Sequence, residues 1–156
     1  MLLQGRSLGW FSHKTELTLN DQLIGIVRPK WFSEGLDLEV LQQPVRFERP
    51  SWLKSHFVLK DAANTELGSA SLEGFFGRHW KMDFRTSQGE LVPAGWFTSE
   101  YVLKQGTSVT ARVGLTDWFS RSWEVQADNS LTAIDVLLIG LVYTVIRHRI
   151  ERQQTS

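Results

Sequence analysis

Apolar and polar residues alternate along most of this chain, as they do in strands that have one buried and one exposed face. The alternation is clearest where Trp80, Met82 and Phe84 are separated by Lys81 and Asp83. Similar stretches recur around a series of apolar residues: Leu17, Leu38, Phe47, Leu59, Leu103, Val113 and Val125. With turn signals about every 8–12 residues, the pattern predicts about ten to twelve short strands, which is typical of a barrel or a sandwich.

One segment near the C-terminus has a different pattern. Residues 136–146 are apolar apart from Gly, Tyr and Thr, and no polar stripe recurs at helical spacing. A helix of this kind must be surrounded on all sides. Thr132 and Asp135 form a capping-box pattern at its start, and Leu131 and Val136 flank them as a hydrophobic staple.

Either a bilayer or a protein core could surround such a helix. Residues 133–146 would span only about 21 Å, whereas the hydrocarbon of a bilayer is about 30 Å thick. We therefore predict a buried core helix over residues 132–150. Inside a core, Gly140 is expected to mark a close approach of the surrounding wall, and Tyr143 is expected to need a partner for its hydroxyl group.

The strands and the helix together predict the fold. A sheet of so many strands can close on itself, which removes its edges and leaves a lumen to be filled. We predict a single domain over residues 1–156 with a mainly β (α+β) fold. In it, an antiparallel closed β-barrel of about 10–12 strands, at residues 8–128, surrounds the buried hydrophobic C-terminal helix. A filled lumen leaves little room for a ligand, so binding is expected outside the barrel and enzymatic activity is not expected.

Aromatic pairs recur at the predicted strand boundaries. Four Trp-Phe pairs are each followed by Ser or Thr, and Phe75-Phe76 is followed by Gly77. The four pairs are Trp10-Phe11, Trp31-Phe32, Trp96-Phe97 and Trp118-Phe119. An aromatic pair, a small residue and a new alternating stretch indicate the turns of an antiparallel meander. Duplication or shared turn chemistry would both explain the similarity.

Composition narrows the function classes. The chain has 17 Lys and Arg and 17 Asp and Glu, so its formal net charge is zero. This balance gives no global electrostatic reason to expect nucleic acid or an anionic membrane as a partner, and either contact would need a local charged patch. There is no Cys, which excludes disulfides, thiolate nucleophiles and Cys-ligated zinc. No catalytic motif or metal motif is present, so no cofactor and no metal are predicted. The N-terminal residues lack the apolar run of a secretory signal, which predicts a cytoplasmic protein.

Several segments together resemble the tubby C-terminal-like superfamily, which includes the tubby domain, the phospholipid scramblases and the LURP-one-related proteins. They are FVLKDAANTELGSASL at residues 57–72, YVLKQG at 101–106, SVTARVGL at 108–115 and SWEVQADNSLTAIDVLLIGLVYTVI at 122–146. The resemblance lies in the pattern of strands and helix and not in a short motif. It implies a barrel around a C-terminal helix and a role linked to membranes or lipids, without catalysis.

Two departures from that family concern scrambling. Scramblases carry an acidic calcium-binding segment before the last helix, where this chain has only Asp128 and Asp135. Calcium requires about 6–8 oxygen ligands, more than these two carboxylates supply. The palmitoylated Cys cluster of scramblases is also missing, since the chain has no Cys. Calcium-triggered scrambling is therefore not predicted.

Aromatic turns with neighbouring cations are the candidate site. Aromatic side chains can enter a lipid interface while Arg and Lys meet phosphate groups. The candidates for lipid or phosphate binding are Arg78, His79, Lys81, Arg28, Lys30 and Arg121. The candidate membrane-contact aromatics are Phe75, Phe76, Trp31, Phe32, Trp118 and Phe119. We therefore expect a protein that binds anionic phospholipid or phosphoinositide membrane surfaces peripherally.

Two other interpretations use the same residues. One aromatic of each pair could belong to the core while the neighbouring cations are simply solvated. Alternatively, exposed aromatic residues on a rigid barrel could bind a protein partner, which would make the domain an interaction scaffold without lipid affinity. The positions of the turns distinguish these interpretations. Turns that share one rim of the barrel favour membrane binding, and turns scattered over the barrel do not.

Overall fold

The chain forms twelve strands followed by one long helix. The computed structural model describes residues 1–8, 14–28, 35–50, 55–74, 78–117 and 121–155. The strands are β1 Leu2–Ser7, β2 Thr15–Leu19, β3 Gln22–Val27, β4 Leu36–Val40, β5 Gln43–Glu48, β6 His56–Asp61, β7 Glu66–Glu73, β8 His79–Phe84, β9 Gln88–Pro93, β10 Tyr101–Gln105, β11 Ser108–Leu115 and β12 Trp123–Ala127. The helix, α1, is Ala133–Thr155.

All twelve strands belong to one antiparallel sheet. Strands that are neighbours in the chain pair with each other, except β3 and β4, and β1 also pairs with β12. The order is therefore β3-β2-β1-β12-β11-β10-β9-β8-β7-β6-β5-β4. The two outermost strands, β3 and β4, are not joined by hydrogen bonds but meet through side chains. The Leu38 side chain of β4 fills the space that a side chain at Gly25 of β3 would need. The sheet is therefore a nearly closed barrel, as the strands and the apolar helix together predict.

The helix begins with the predicted cap. The Thr132 backbone N–H donates to Asp135 Oδ2 at 3.0 Å, and the Asp135 N–H donates to Thr132 Oγ1 at 3.2 Å. These reciprocal bonds satisfy amide groups that have no partner within the helix. The Val136 N–H donates to the Thr132 carbonyl oxygen, and this bond closes the first turn.

The helix fills the barrel lumen. Its residues from 135 to 146 are buried except Thr144, which is half-buried and donates to the Gly140 carbonyl oxygen. A Cβ atom at Gly140 would lie 2.6 Å from side-chain atoms of Leu3 and of Trp123, so the wall approaches closely there, as predicted. The Tyr143 hydroxyl donates to the Ser99 carbonyl oxygen at 2.8 Å, which supplies the expected partner.

Two bounds differ from the sequence prediction. The barrel begins at Leu2 and not near residue 8, because the inward positions of β1 are Leu3 and Gly5, and a glycine adds no apolar signal. Trp123 packs over Gly5 in place of a side chain. The helix continues to residue 155, because neither Gly nor Pro follows the apolar segment to end it.

Candidate functional site

The meander gives the barrel two unlike ends. Because neighbouring strands are antiparallel, alternate connections lie at the same end. One end, called here the long-loop end, carries the connections of residues 8–14, 28–35, 49–55, 74–78, 94–100 and 116–122. The other end, the short-turn end, carries residues 20–21, 41–42, 62–65, 85–87, 106–107 and 128–132. The helix enters at the short-turn end and leaves at the long-loop end.

Aromatic residues are concentrated in the connections of the long-loop end. Every Trp or Phe in the chain lies either in a strand or in one of these connections. The five in strands are all buried: Phe47, Phe57, Trp80, Phe84 and Trp123. The remaining eleven belong to the long-loop connections: Trp10, Phe11, Trp31, Phe32, Trp52, Phe75, Phe76, Trp96, Phe97, Trp118 and Phe119. The connections of the short-turn end, all of them described, contain none.

Trp96 and Phe97 show how one of these pairs is placed. The structure describes their whole connection, residues 94–100, between β9 and β10. Trp96 is 85% exposed and Phe97 is 104% exposed, so neither side chain contributes to the core. Removing each of these side chains from water would be favourable by about 1.5–3 kcal/mol. An exposed apolar pair of this size suits a surface that removes it from water.

Basic residues are concentrated at the same end. The long-loop connections and helix residues 147–155 contain ten Lys and Arg: Lys14, Arg28, Lys30, Arg49, Lys54, Arg78, Arg121, Arg147, Arg149 and Arg152. They contain only four acidic residues: Glu34, Glu100, Asp117 and Glu151. Since the whole chain has 17 of each, the rest of the molecule has seven basic and thirteen acidic residues. The chain is neutral overall, but its charge is divided between the long-loop end and the remainder of the barrel.

The basic end of the helix is anchored at the barrel mouth. Arg149 donates to Ser55 Oγ at 3.0 Å, and its guanidinium lies 5.5 Å from the ring centre of Trp80 and 5.9 Å from that of Phe57. Burial lowers the pKa of Arg149, an effect that the nearby Arg49 increases. Among the described residues, the Nε atom of Arg147 is buried without a hydrogen-bond partner. Two partly buried guanidinium groups therefore hold positive charge at the mouth of the barrel.

A cleft opens beside these cations, between the β7–β8 and β9–β10 connections. Its volume is about 640 Å³, and it is lined by Glu73, Gly74, Arg78, His79, Pro93, Gly95 and Trp96. Glu73 and His79 face each other across the β7–β8 pair. Behind the cleft, burial raises the pKa of Tyr101, while the nearby Arg78 and Arg147 lower it. The cleft thus combines two basic groups, one carboxylate and one indole.

The structure places five of the predicted site residues. Arg28, Arg78 and Arg121 belong to the long-loop connections, and His79 begins β8 at the same end. Arg121 Nε lies 3.5 Å from Glu151 Oε1 of the helix. Lys81 lies two residues further along β8, on the exposed outer wall. The other predicted residues lie outside the described part of the chain: Lys30, Trp31, Phe32, Phe75, Phe76, Trp118 and Phe119.

Several residues of this end are missing from the candidates that the sequence suggests. Trp96 and Phe97 form one of the four Trp-Phe pairs but are not among the predicted contact residues. Arg49 and Arg149 belong to the same surface. Alternate connections of an antiparallel meander lie at the same end, so the strand pattern alone groups Trp96, Phe97 and Arg49. Arg149 joins them because the helix leaves the barrel at that end.

Comparison of the chain with protein-family models, with curated proteins and with solved structures gives no match. The described helix contains no stretch that is both long and apolar enough to cross a membrane. Within the described residues, no group of three or more His, Asp or Glu side chains could hold a metal ion.

Proposed function

We propose that this protein binds anionic phospholipid surfaces peripherally through its long-loop end and has no enzymatic activity. The observation that carries the proposal is the strand order, which assigns to one end all the connections whose sequences contain Trp or Phe. The sequences of the connections and of the helix terminus at that end contain ten of the 17 Lys and Arg residues. Turns that share one rim are the arrangement that favours a membrane over solvated, unrelated loops. The cytoplasmic leaflet, which is rich in anionic lipid, is the surface that this chemistry fits.

Each kind of residue has a separate role in this binding. Lys and Arg close to an anionic surface contribute about 1 kcal/mol each, and dissolved salt screens this attraction at distances beyond about a Debye length. Trp and Phe side chains enter the boundary between headgroups and acyl chains, where apolar area leaves water. A protein surface with both kinds of residue is expected to be attracted to the membrane by anionic lipid and to be held there by its aromatic side chains.

The position of the helix supports binding at the end of the barrel and not inside it. The lumen is filled by α1, whose residues from 135 to 146 are buried with the exception of Thr144. Ligand sites need a concave pocket, and the cleft of Arg78 and Trp96 opens at the long-loop end. We also propose that the chain belongs to the tubby-like superfamily, whose members have a barrel around a central helix. Membership would agree with a membrane role.

Co-sedimentation with vesicles tests the proposal. Neutral vesicles are compared with vesicles containing phosphatidylserine or phosphoinositide, at low and at physiological salt. We expect binding to the anionic vesicles alone and weaker binding at the higher salt concentration. Binding to neither kind of vesicle would reject the lipid function and direct the search to a protein partner.

A matched pair of variants localises the contact. Trp96→Ala with Phe97→Ala removes exposed apolar area from the long-loop end. Leu23→Ala with Leu41→Ala removes it from near the short-turn end, where these side chains are 57% and 65% exposed. We expect the first double variant to bind anionic vesicles at least about tenfold more weakly, since it loses several kcal/mol of apolar burial. The second should bind like the wild type, and equal losses in both would contradict the assigned orientation.

A further inference from the structure

The cleft at the long-loop end contains charged groups of opposite sign that do not neutralise each other. Glu73 is the last residue of β7, and Arg78 precedes β8; both are exposed. Within the described residues, no ion pair shorter than 4.0 Å joins Glu73 to Arg78 or to His79. The Glu73 carboxylate is therefore not neutralised by either cation. The Arg78 guanidinium interacts with the Tyr101 side chain but has five N–H donors, so some remain for a ligand.

The third element of the cleft is aromatic. Trp96 lines it from the β9–β10 connection, and 85% of its surface is exposed. The face of an indole attracts an ammonium group through its quadrupole. A carboxylate in the same cleft adds an ion pair to the same ammonium group. A guanidinium, in turn, is the side-chain group best suited to hold a phosphate oxygen pair. Together these groups match a ligand that carries a phosphate and an ammonium.

A simple phosphate dianion would fit this cleft less well. The Glu73 carboxylate lies across the β7–β8 pair from His79, and side chains in directly opposite positions are about 5 Å apart at Cβ. A second negative charge placed there would be repelled unless the same ligand also supplied a cation. The volume of about 640 Å³ is within the usual range for a small-molecule site and exceeds what one phosphate needs.

We propose that this cleft binds a phosphate ester that also bears an ammonium group, the chemistry of an amino-phospholipid headgroup. Arg78 holds the phosphate, with the positive charge of Arg147 behind it, and Glu73 and Trp96 hold the ammonium. The lipid form of the ligand rests on the proposed membrane function, since the long-loop end must first meet a bilayer. The soluble form does not rest on it, so the two can be tested separately.

Isothermal titration with small esters tests the cleft without vesicles. The probes are O-phosphoethanolamine, glycerol 3-phosphate, which lacks the ammonium, and ethanolamine, which lacks the phosphate. We expect O-phosphoethanolamine to bind about tenfold more tightly than either of the others. Equal affinity for glycerol 3-phosphate, or no binding of O-phosphoethanolamine, would overturn the proposal.

Two exposed positions provide the variants, and thermal unfolding checks that each remains folded. Glu73→Gln should retain the affinity for glycerol 3-phosphate and lose the tenfold preference for the ammonium-bearing ester. Arg78→Gln should lose the affinity for both esters. An undiminished preference in Glu73→Gln would overturn the assignment of the ammonium to this carboxylate.

Vesicles then identify the source of the ligand. Phosphatidylserine, which carries an ammonium, is compared with phosphatidylglycerol, which has the same net charge and lacks it. A preference for phosphatidylserine that disappears in Glu73→Gln would assign the cleft to a lipid headgroup. A preference for the ammonium-bearing ester that is seen only with soluble probes would assign the cleft to a free metabolite. Salt-sensitive binding to both vesicle types would in that case still support the general membrane function.

Discussion

Gly140 shows how close packing can outweigh helix propensity at a single residue. Alanine is the better helix former by about 1 kcal/mol, so Gly140→Ala would stabilise an exposed helix. In the lumen the added methyl group would lie 2.6 Å from side-chain atoms of Leu3 and of Trp123. We expect a net loss of about 1–3 kcal/mol in the free energy of unfolding, measured by urea titration.

Gly95→Ala is the matched control for that prediction. The nearest atom to its added methyl group would be Thr98 Cγ2 at 3.6 Å, which is ordinary van der Waals contact. Its stability should therefore remain within about 0.5 kcal/mol of the wild type. If Gly140→Ala were as stable as Gly95→Ala, the helix could not be as tightly enclosed as the structure indicates.

Tyr143 links the packing of the helix to alkaline pH. Burial raises the pKa of Tyr143 to about 12. An unfolded chain would release the same proton near pH 10, so the folded state binds it more tightly. The stability that depends on the neutral phenol is complete below about pH 10 and is lost as the pH rises toward 12, by about 2–3 kcal/mol in all.

Tyr143→Phe tests both the hydrogen bond and its pH dependence. At pH 7 the variant should be about 1 kcal/mol less stable, because the Ser99 carbonyl oxygen loses its donor. Above pH 10 the difference from the wild type should shrink, since the variant has no phenol to ionise at this position. Tyr101, whose pKa burial also raises, remains in both proteins. Urea titrations at pH 7 and pH 10.5 measure the difference, and a gap that widens with pH would contradict this account.

At the scale of elements, the central helix and the sheet share one hydrophobic core. Leu138 is 1% exposed and contacts the barrel wall near Gly68 of β7. Leu138→Asp would place an unpaired carboxylate in the filled lumen, which costs more than the margin by which most domains are stable. We expect the whole domain to lose its fold, seen as loss of the strand signal in circular dichroism. Leu23→Asp, at a side chain that is 57% exposed, should fold normally.

Most elements could be predicted because each has a recognisable pattern within its own residues. The helix is recognisable from residues 136–146, since no face of it could tolerate water. The alternation of Trp80, Met82 and Phe84 identifies β8 in the same way. The first strand is harder to find, because its inward residues are Leu3 and Gly5 and the void above Gly5 is filled by Trp123, which is distant in sequence. Local patterns predict an element reliably only when its own residues form the buried face.

The candidate site was only partly predictable, for a reason that concerns topology. The sequence identifies aromatic pairs beside cations, such as Phe75-Phe76 beside Arg78, but not whether separate turns lie together. The strand order supplies this information, because alternate connections of an antiparallel meander lie at the same end of the barrel. The cleft could not be predicted, because it brings together Glu73 at the end of β7 and Trp96 of the β9–β10 connection, which are more than twenty residues apart in the chain.

At the scale of the whole molecule, a neutral net charge conceals a separation of charge. Ten basic and four acidic residues belong to the long-loop end, and seven basic and thirteen acidic residues to the remainder. If the proposed membrane function holds, we expect this distribution to orient the barrel in the field of an anionic surface, with the helix axis close to the surface normal. Net charge alone would predict no attraction to an anionic surface. Charge reversals at the two ends can therefore separate the effect of net charge from the effect of charge distribution.

Two double variants with the same net charge make that test. Arg28→Glu with Arg49→Glu changes exposed cations at the long-loop end, and Arg85→Glu with Lys104→Glu changes exposed cations at or near the short-turn end. At about 1 kcal/mol for each cation near the membrane, the first pair should weaken binding to anionic vesicles at least about tenfold. It should also reduce the salt dependence of binding, because fewer cations meet the surface. The second pair should leave affinity nearly unchanged. Strands of about 17–20 Å separate the two ends, which is more than a Debye length of about 8 Å. Equal weakening in both variants would show that only net charge matters, and the barrel would then have no preferred orientation.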